Sequence, residues 1–175
     1  NFDVNADVMS GFAQAQFKYS KVDFYLAASL GATNYQRNGL YENGNYQGGN
    51  SSFGESEALS FSTLGFKGGA VYKLTGRHLI DVNAGYLTKA PSIRNSFSNS
   101  RQNNNVGEGL IEEKIQNLDV SYIFRSPILK ARVTGFYNAM QDQTDINFFF
   151  TESIQNADGG GTFVQELLTG IESTR

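Results

Sequence analysis

Strict alternation of apolar and polar residues, sustained over runs longer than ordinary strands, constrains this chain more than any other feature. Val22, Phe24, Leu26, Ala28, Leu30 and Ala32 share one face, with Asp23, Tyr25, Ala27, Ser29, Gly31 and Thr33 on the other. Before them Gly11, Ala13, Ala15, Phe17 and Tyr19 alternate with Ser10, Phe12, Gln14, Gln16 and Lys18. The pattern returns at Leu64–Tyr72, Ile80–Tyr86, Leu118–Phe124 and Leu129–Ala139, where the opposite face carries Lys67, Asp81, Asn83, Asp119, Lys130 and Arg132. A period of two belongs to strands, because successive side chains point to opposite faces; a helix would repeat every 3.6 residues. The reading is all-β, with about six long strands in an antiparallel sheet. Helix candidates are poor, and Phe163–Leu168 is the best of them.

The connections alternate in length. Ser20-Lys21, Thr75-Gly76-Arg77 and Arg125-Ser126-Pro127 are tight turns. Between them lie long polar links, from about Gln36 to Ser60, Pro91 to Leu110 and Gln141 to Thr162. Connections in compact domains are usually ~4–6 residues, and longer ones usually carry function. Short turns on one edge and long loops on the other describe a transmembrane β-barrel segment with periplasmic turns and extracellular loops. Its strands need ~9–11 residues to cross a bilayer at a tilt. Tyr19, Tyr72 and the Tyr122/Phe124 pair each precede a tight turn, the level at which amphipathic rings form an interfacial girdle.

Composition taken alone reads as a soluble β domain rich in Gly, Asn and aromatic residues. The 175 residues include 39% hydrophobic and 18% charged residues, with a net charge of −3. The mean hydropathy is negative and no run approaches the ~20 apolar residues of a transmembrane helix. Alternating faces joined by polar loops give the same average, so this does not argue against a membrane strand. A soluble sandwich also alternates, but its turn signals recur every ~8–12 residues, and here they do not. Zero Cys excludes a disulfide framework, a zinc ribbon, a thiol nucleophile and iron–sulfur ligation. Fourteen basic against seventeen acidic residues, without a basic block, argue against a nucleic-acid partner. The start, Asn1-Phe2-Asp3-Val4, has no signal-peptide pattern, and both ends read as cut, so residues 1–175 are expected to be part of a barrel domain. Six strands with loops this long do not close a barrel, and open edges are forbidden in a bilayer.

Two segments carry a family resemblance. Gly85-Tyr86-Leu87-Thr88-Lys89-Ala90-Pro91-Ser92-Ile93-Arg94 resembles the strand-to-loop passage of TonB-dependent outer-membrane receptors. Glu113-Lys114-Ile115-Gln116-Asn117-Leu118-Asp119-Val120-Ser121-Tyr122 resembles the strand that follows it there, and Ala131–Asp142 continues the likeness. Gly170-Ile171-Glu172-Ser173-Thr174-Arg175 resembles the opening of a further strand. The first half of the chain is similar in architecture only, and the plug domain, the TonB box and a terminal aromatic strand have no counterpart in this sequence. The resemblance implies a slice of a barrel of about 22 strands in the Gram-negative outer membrane. It implies uptake of a large, scarce solute (an iron chelate, cobalamin, an oligosaccharide or a peptide). It also implies lipid and the TonB energy-coupling complex, acting through a plug, as partners. The Asn-, Gly- and Tyr-rich loops are most like those importers of glycans or peptides that pair with a surface lipoprotein. No cofactor, no metal and no covalent chemistry are implied.

Ligand-binding candidates lie in the long loops. Tyr35, Arg37, Tyr41, Tyr46 and Phe53 stand among Asn, Gln and Gly, where rings and amides stack on and hydrogen-bond to sugars or peptides. Packing of the loop onto itself explains them equally well. Arg94, Arg101 and the run Gln102-Asn103-Asn104-Asn105 suit an anionic or glycan group, or simply an exposed loop. Phe148-Phe149-Phe150 reads as a strand carried up into a tall hairpin that packs on neighbouring loops, with a docking patch for a partner as the alternative. His78 lacks a Gly-x-Ser-x-Gly elbow and reads as a turn histidine; a hydrolase would need it as the base. Glu112, Glu113, Asp142 and Asp145 are oxygen donors without the spacing of a calcium loop. Asp158-Gly159-Gly160-Gly161 reads as a hairpin tip, since no Lys-Ser/Thr follows to make a phosphate cradle. Lys67, Lys130 and Arg132 would face a plug or a hydrated lumen. A cell-surface binding or adhesion module, with both sheet faces wet or packed on a second sheet, is the competing reading of the whole.

Overall fold

The computed structural model describes residues 1–44, 46–48, 51–152 and 161–175, and of residues 150–152 and 161–165 the backbone only. The fold is all-β and antiparallel: β1 (Phe2–Lys18), β2 (Val22–Gly39), β3 (Gly54–Glu55), β4 (Leu59–Lys73), β5 (His78–Lys89), β6 (Glu113–Arg125), β7 (Lys130–Glu152) and β8 (Gly161–Thr174). Apart from the two-residue β3, which pairs with the end of β2, the strands lie in chain order in one sheet. The sheet is not closed: β1 is bonded only to β2, and β8 only to β7. No helix among the described residues is long and apolar enough to cross a membrane.

Three expectations are corrected. Seven strands are long, where about six were expected, because Phe163–Leu168 is not helical but runs inside β8. Its residues pair with 145–150 of β7, and cross-strand bonding outweighs the weak helical preference of a short run. The polar link expected from Gln141 is strand as far as Glu152. A bulge at Asp142 (φ 56°) shifts the register there, so a polar stretch that breaks the alternation still belongs to the ladder. Gly170 (φ 72°) lies at the matching irregularity in β8, so Gly170–Thr174 continues a strand begun at Gly161 rather than opening one. β1 and β2 are also longer than the periodicity indicated, reaching from Phe2 and to Gly39. The tip Asp158-Gly159-Gly160 lies outside the described residues.

Register keeps the two faces separate across the sheet. One row carries Ala15, Leu26, Gly68, Ala84, Leu118 and Tyr137, and all of them project to the same side. Nearer the tight turns, Tyr72 and Tyr122 are both paired with Ile80, so the two rings stand at one height. Phe17 stacks on Phe24 at 4.8 Å beside them. This apolar side is open: Met9 is 80% exposed, Leu30 66% and Val133 71%.

The opposite side is polar and knitted together. Tyr25 Oη donates to Asn83 Oδ1 (3.2 Å), while Asn83 Nδ2 donates to Asp81 and to Asp119 (3.2 Å each). Arg132 reaches Asp81 at 3.1 Å and Ser121 Oγ at 2.9 Å. Glycine makes room for these groups: a Cβ on Gly69 would lie 2.2 Å from Asn83 Oδ1, and one on Gly85 2.3 Å from Asn117 Oδ1. Single-layer sheets need a second surface to cover an apolar face. Here the buried hydrophobic residues among those described (Tyr35, Phe61, Phe97, Ala139 and Ile146) sit toward the loop edge and leave the apolar face bare.

Candidate functional site

The long loops fold back over the polar face at one edge of the sheet. The described residues between β2 and β4, with the short β3 among them, form the first loop, and residues 90–112 the second. The second begins at buried Pro91 and caps a single helical turn, α1 (Ile93–Ser96), whose N-cap Ser92 Oγ accepts from Asn95 N at 3.3 Å. Phe97 then bridges to Val106, making a small hairpin of the loop itself. The loop spans the sheet's width. Phe97 packs on Tyr35 and Phe61 over β2 and β4, Asn95 Nδ2 donates to Thr144 O of β7, and Gly107 abuts Leu167 of β8. The second loop thus lies across the polar face and touches strands on both flanks of the sheet.

Arg37 is the fastener. It is 2% exposed near the top of β2. Its Nε donates to Ser100 O (2.6 Å) in the second loop, and its Nη1 to Ser52 O (3.0 Å) in the first and to Asn104 Oδ1. The guanidinium lies 5.2 Å from the centre of the Phe2 ring, which it stacks against. Asn104 in turn donates to Phe53 O and Gly54 O, 3.3 Å each. Burial lowers the Arg37 pKa from its ordinary value, and the ring of acceptors holds the charge in place. Tyr35 is buried beside it, its ring 5.9 Å from Phe61, and desolvation raises its hydroxyl pKa against the opposing pull of Lys89.

The candidates therefore separate. Tyr35 and Arg37 are built into the framework, the first by its buried ring and the second by its enclosing acceptors. Tyr41 and Phe53 are exposed at 68% and 54%, and Tyr46 is half-buried, its carbonyl accepting from Ser52 Oγ at 2.7 Å. Arg94 and Arg101 come together on one cleft of about 790 Å³, with Phe2 and Val4 of β1, Phe97 and Phe148 as its apolar lining. Phe2 and Val4 fall outside the alternating run that begins at residue 10, although the signal for them is present, since residues 2–8 alternate too. Phe148 reaches the cleft from β7, as a tall hairpin would carry it.

The remaining candidates have other partners. Glu113 pairs with Lys89 (2.9 Å), Asp142 with Lys114 (2.7 Å), Glu112 accepts from Ser62 N (2.9 Å), and Asp145 accepts from Ile146 N (2.9 Å). Among the described residues no three His, Asp or Glu side chains gather as a metal site. His78 Nδ1 meets the Tyr122 hydroxyl beside Phe124 near the turn edge, far along the strands from the loops. Comparison with protein-family models, with curated proteins and with solved structures finds no match to this chain.

Proposed function

We infer that this chain is a wall segment of a TonB-dependent outer-membrane receptor, a barrel of about 22 strands that binds a large, scarce solute at its outward loops and imports it. The observation that carries the reading is the exposed apolar face presented by β1, β2, β4, β6 and β7 of a sheet of long antiparallel strands, with tight turns at one edge and long loops at the other. Lipid covers such a face at no cost in unpaired backbone, provided further strands bond to β1 and β8. The polar face suits a hydrated or plugged lumen, and the aromatic row at the turn edge suits the periplasmic interface. The sequence resemblance supplies the receptor family. Uptake then follows binding through a plug driven by the TonB complex, with an iron chelate, an oligosaccharide or a peptide as cargo and a surface lipoprotein as a lid for the glycan and peptide cases.

The test is made in a Gram-negative host carrying the full-length gene. The product fractionates with the outer membrane and migrates differently on gels before and after boiling. Growth on the cargo as sole limiting nutrient, screened across iron chelates, oligosaccharides and peptides, is lost when TonB is inactivated. Recovery of the 175 residues alone as a monodisperse, cooperatively folding monomer in plain buffer overturns the reading in favour of a surface binding module.

A further inference from the structure

We propose that the cleft between β1, the second loop and β7 is a binding site for a small amphipathic organic anion, one carboxylate on a flat apolar body. The inference rests on reading this edge of the sheet as the ligand-receiving one. Its volume of about 790 Å³ falls in the range of small-molecule sites, ~300–1,000 Å³, rather than that of a protein-docking surface. Phe97 is 1% exposed and fixed under the loop, while Phe2 is held by its stacking on Arg37, so two of the apolar walls are rigid before any ligand arrives. Phe148, 51% exposed, faces the same space.

The charge in the cleft is of one sign. Arg94 and Arg101 line it, and no carboxylate among the described residues does. The ion pairs among the described residues engage Lys73, Lys89, Lys114 and Arg132, and neither of these arginines. Glu57 and Glu108 line the neighbouring hollow, on the other side of the Phe97–Val106 hairpin. Guanidinium presents a planar fork that matches a carboxylate in two parallel hydrogen bonds, and phenyl faces take a flat apolar body. Arg101 follows Ser100, whose carbonyl is bonded to Arg37 Nε at 2.6 Å, so the buried arginine positions the exposed one through the backbone.

The test uses the purified full-length receptor in nanodiscs and a matched pair of probes, 2-naphthoate and neutral 2-naphthamide, read by saturation-transfer NMR and by titration. Naphthoate is expected to bind about tenfold more tightly than naphthamide, the worth of one charge-assisted pair. In R94Q/R101Q, both exposed positions, that preference disappears while naphthamide binding is kept. In F148A both probes weaken together and the preference remains. Equal affinity of the two probes for the wild-type protein, or a preference that survives R94Q/R101Q, overturns the proposal. Because binding is read without transport, a cleft that selects naphthoate in a protein showing no TonB-dependent uptake separates failure of the import reading from failure of this one.

Discussion

Replacing Leu26 by arginine tests whether the apolar face lies in hydrocarbon. Leu26 is 60% exposed and has Ala15 and Gly68 as its small neighbours across the strands, so the change removes little packing. It stands four residues above Val22, the first residue of β2. At ~3.3 Å per residue that is about 13 Å along the strand, and about 10 Å vertically at a ~40° tilt. Against a hydrocarbon band ~25 Å tall, this is close to the midplane. An arginine there costs about 2–4 kcal/mol in a barrel wall, or about one and a half to three decades in the unfolding constant. On a surface facing water the same substitution stays within ~0.5 kcal/mol. Gln14→Arg is the control: Gln14 pairs with Ala27 one position away and projects to the polar face. Reversible denaturant unfolding of the full-length protein in lipid vesicles, read by the mobility of unboiled samples, gives both values. A cost for Leu26→Arg no greater than that for Gln14→Arg refutes the membrane placement.

Arg37→Ala frees both loops at once, for about 2–3 kcal/mol of lost charged hydrogen bonding. Hydrogen exchange should show residues 40–58 and 90–112 losing protection together while the paired centre of β4–β6 keeps it; release of one loop alone contradicts the fastener role. Gly69→Val should destabilise by about 1–3 kcal/mol through overpacking, since even a Cβ would meet Asn83 Oδ1 at 2.2 Å. Gly135→Val, where nothing lies within 4 Å, should be neutral or better, and equal effects at the two sites would break the face assignment. Tyr35 carries a pKa raised above its ordinary 10.0, so the folded chain keeps a proton that the unfolded chain has released. Its contribution is complete below pH 10 and declines as pH rises from there through the folded value. The free energy of unfolding measured across that window should fall more steeply with rising pH for the wild type than for Tyr35→Phe.

The sheet was legible because register depends on a period of two, and wherever one face is uniformly apolar the alternation survives in the sequence. It failed where the chain departs from that period for a local reason. Gln141-Asp142-Gln143-Thr144-Asp145 reads as loop because a bulge is an insertion in the pattern, and only the continued pairing of Asp145–Glu152 with β8 shows that it is strand. Phe163–Leu168 carries too few residues to state a period, so its conformation is decided by its partner strand. The loops were less legible still. Arg37 and Arg101 look alike as exposed-loop arginines in sequence, yet one is enclosed by carbonyls from two loops and the other lines an open cleft. That difference is made by contacts more than sixty residues apart along the chain, such as Arg37 with Ser100 and with Asn104, and no local pattern encodes it.

The two halves of the structure depend on each other in a definite order. A sheet with one bare face and open edges has its register fixed by whatever distinguishes the rows, since slipping by one residue would exchange the faces. On the polar side that distinction comes from matched pairs: Gly69 beneath Asn83, Gly85 beneath Asn117, Ser121 against Thr134 at 2.8 Å. A slip puts a side chain where a glycine was and leaves Asn83 and Asp81 without donors or acceptors, so the polar ladder resists slippage even where the apolar face is indifferent to it. The loops have no such ladder and rely on the strands to hold them. Arg37 transmits the register of β2 to the backbone of both loops, and through Ser100 to the lip of the cleft beside Arg101. Geometry at the cleft is therefore inherited from pairing in the wall, and a substitution on the polar face, remote from any ligand, is expected to reach binding only by moving β2 relative to β1.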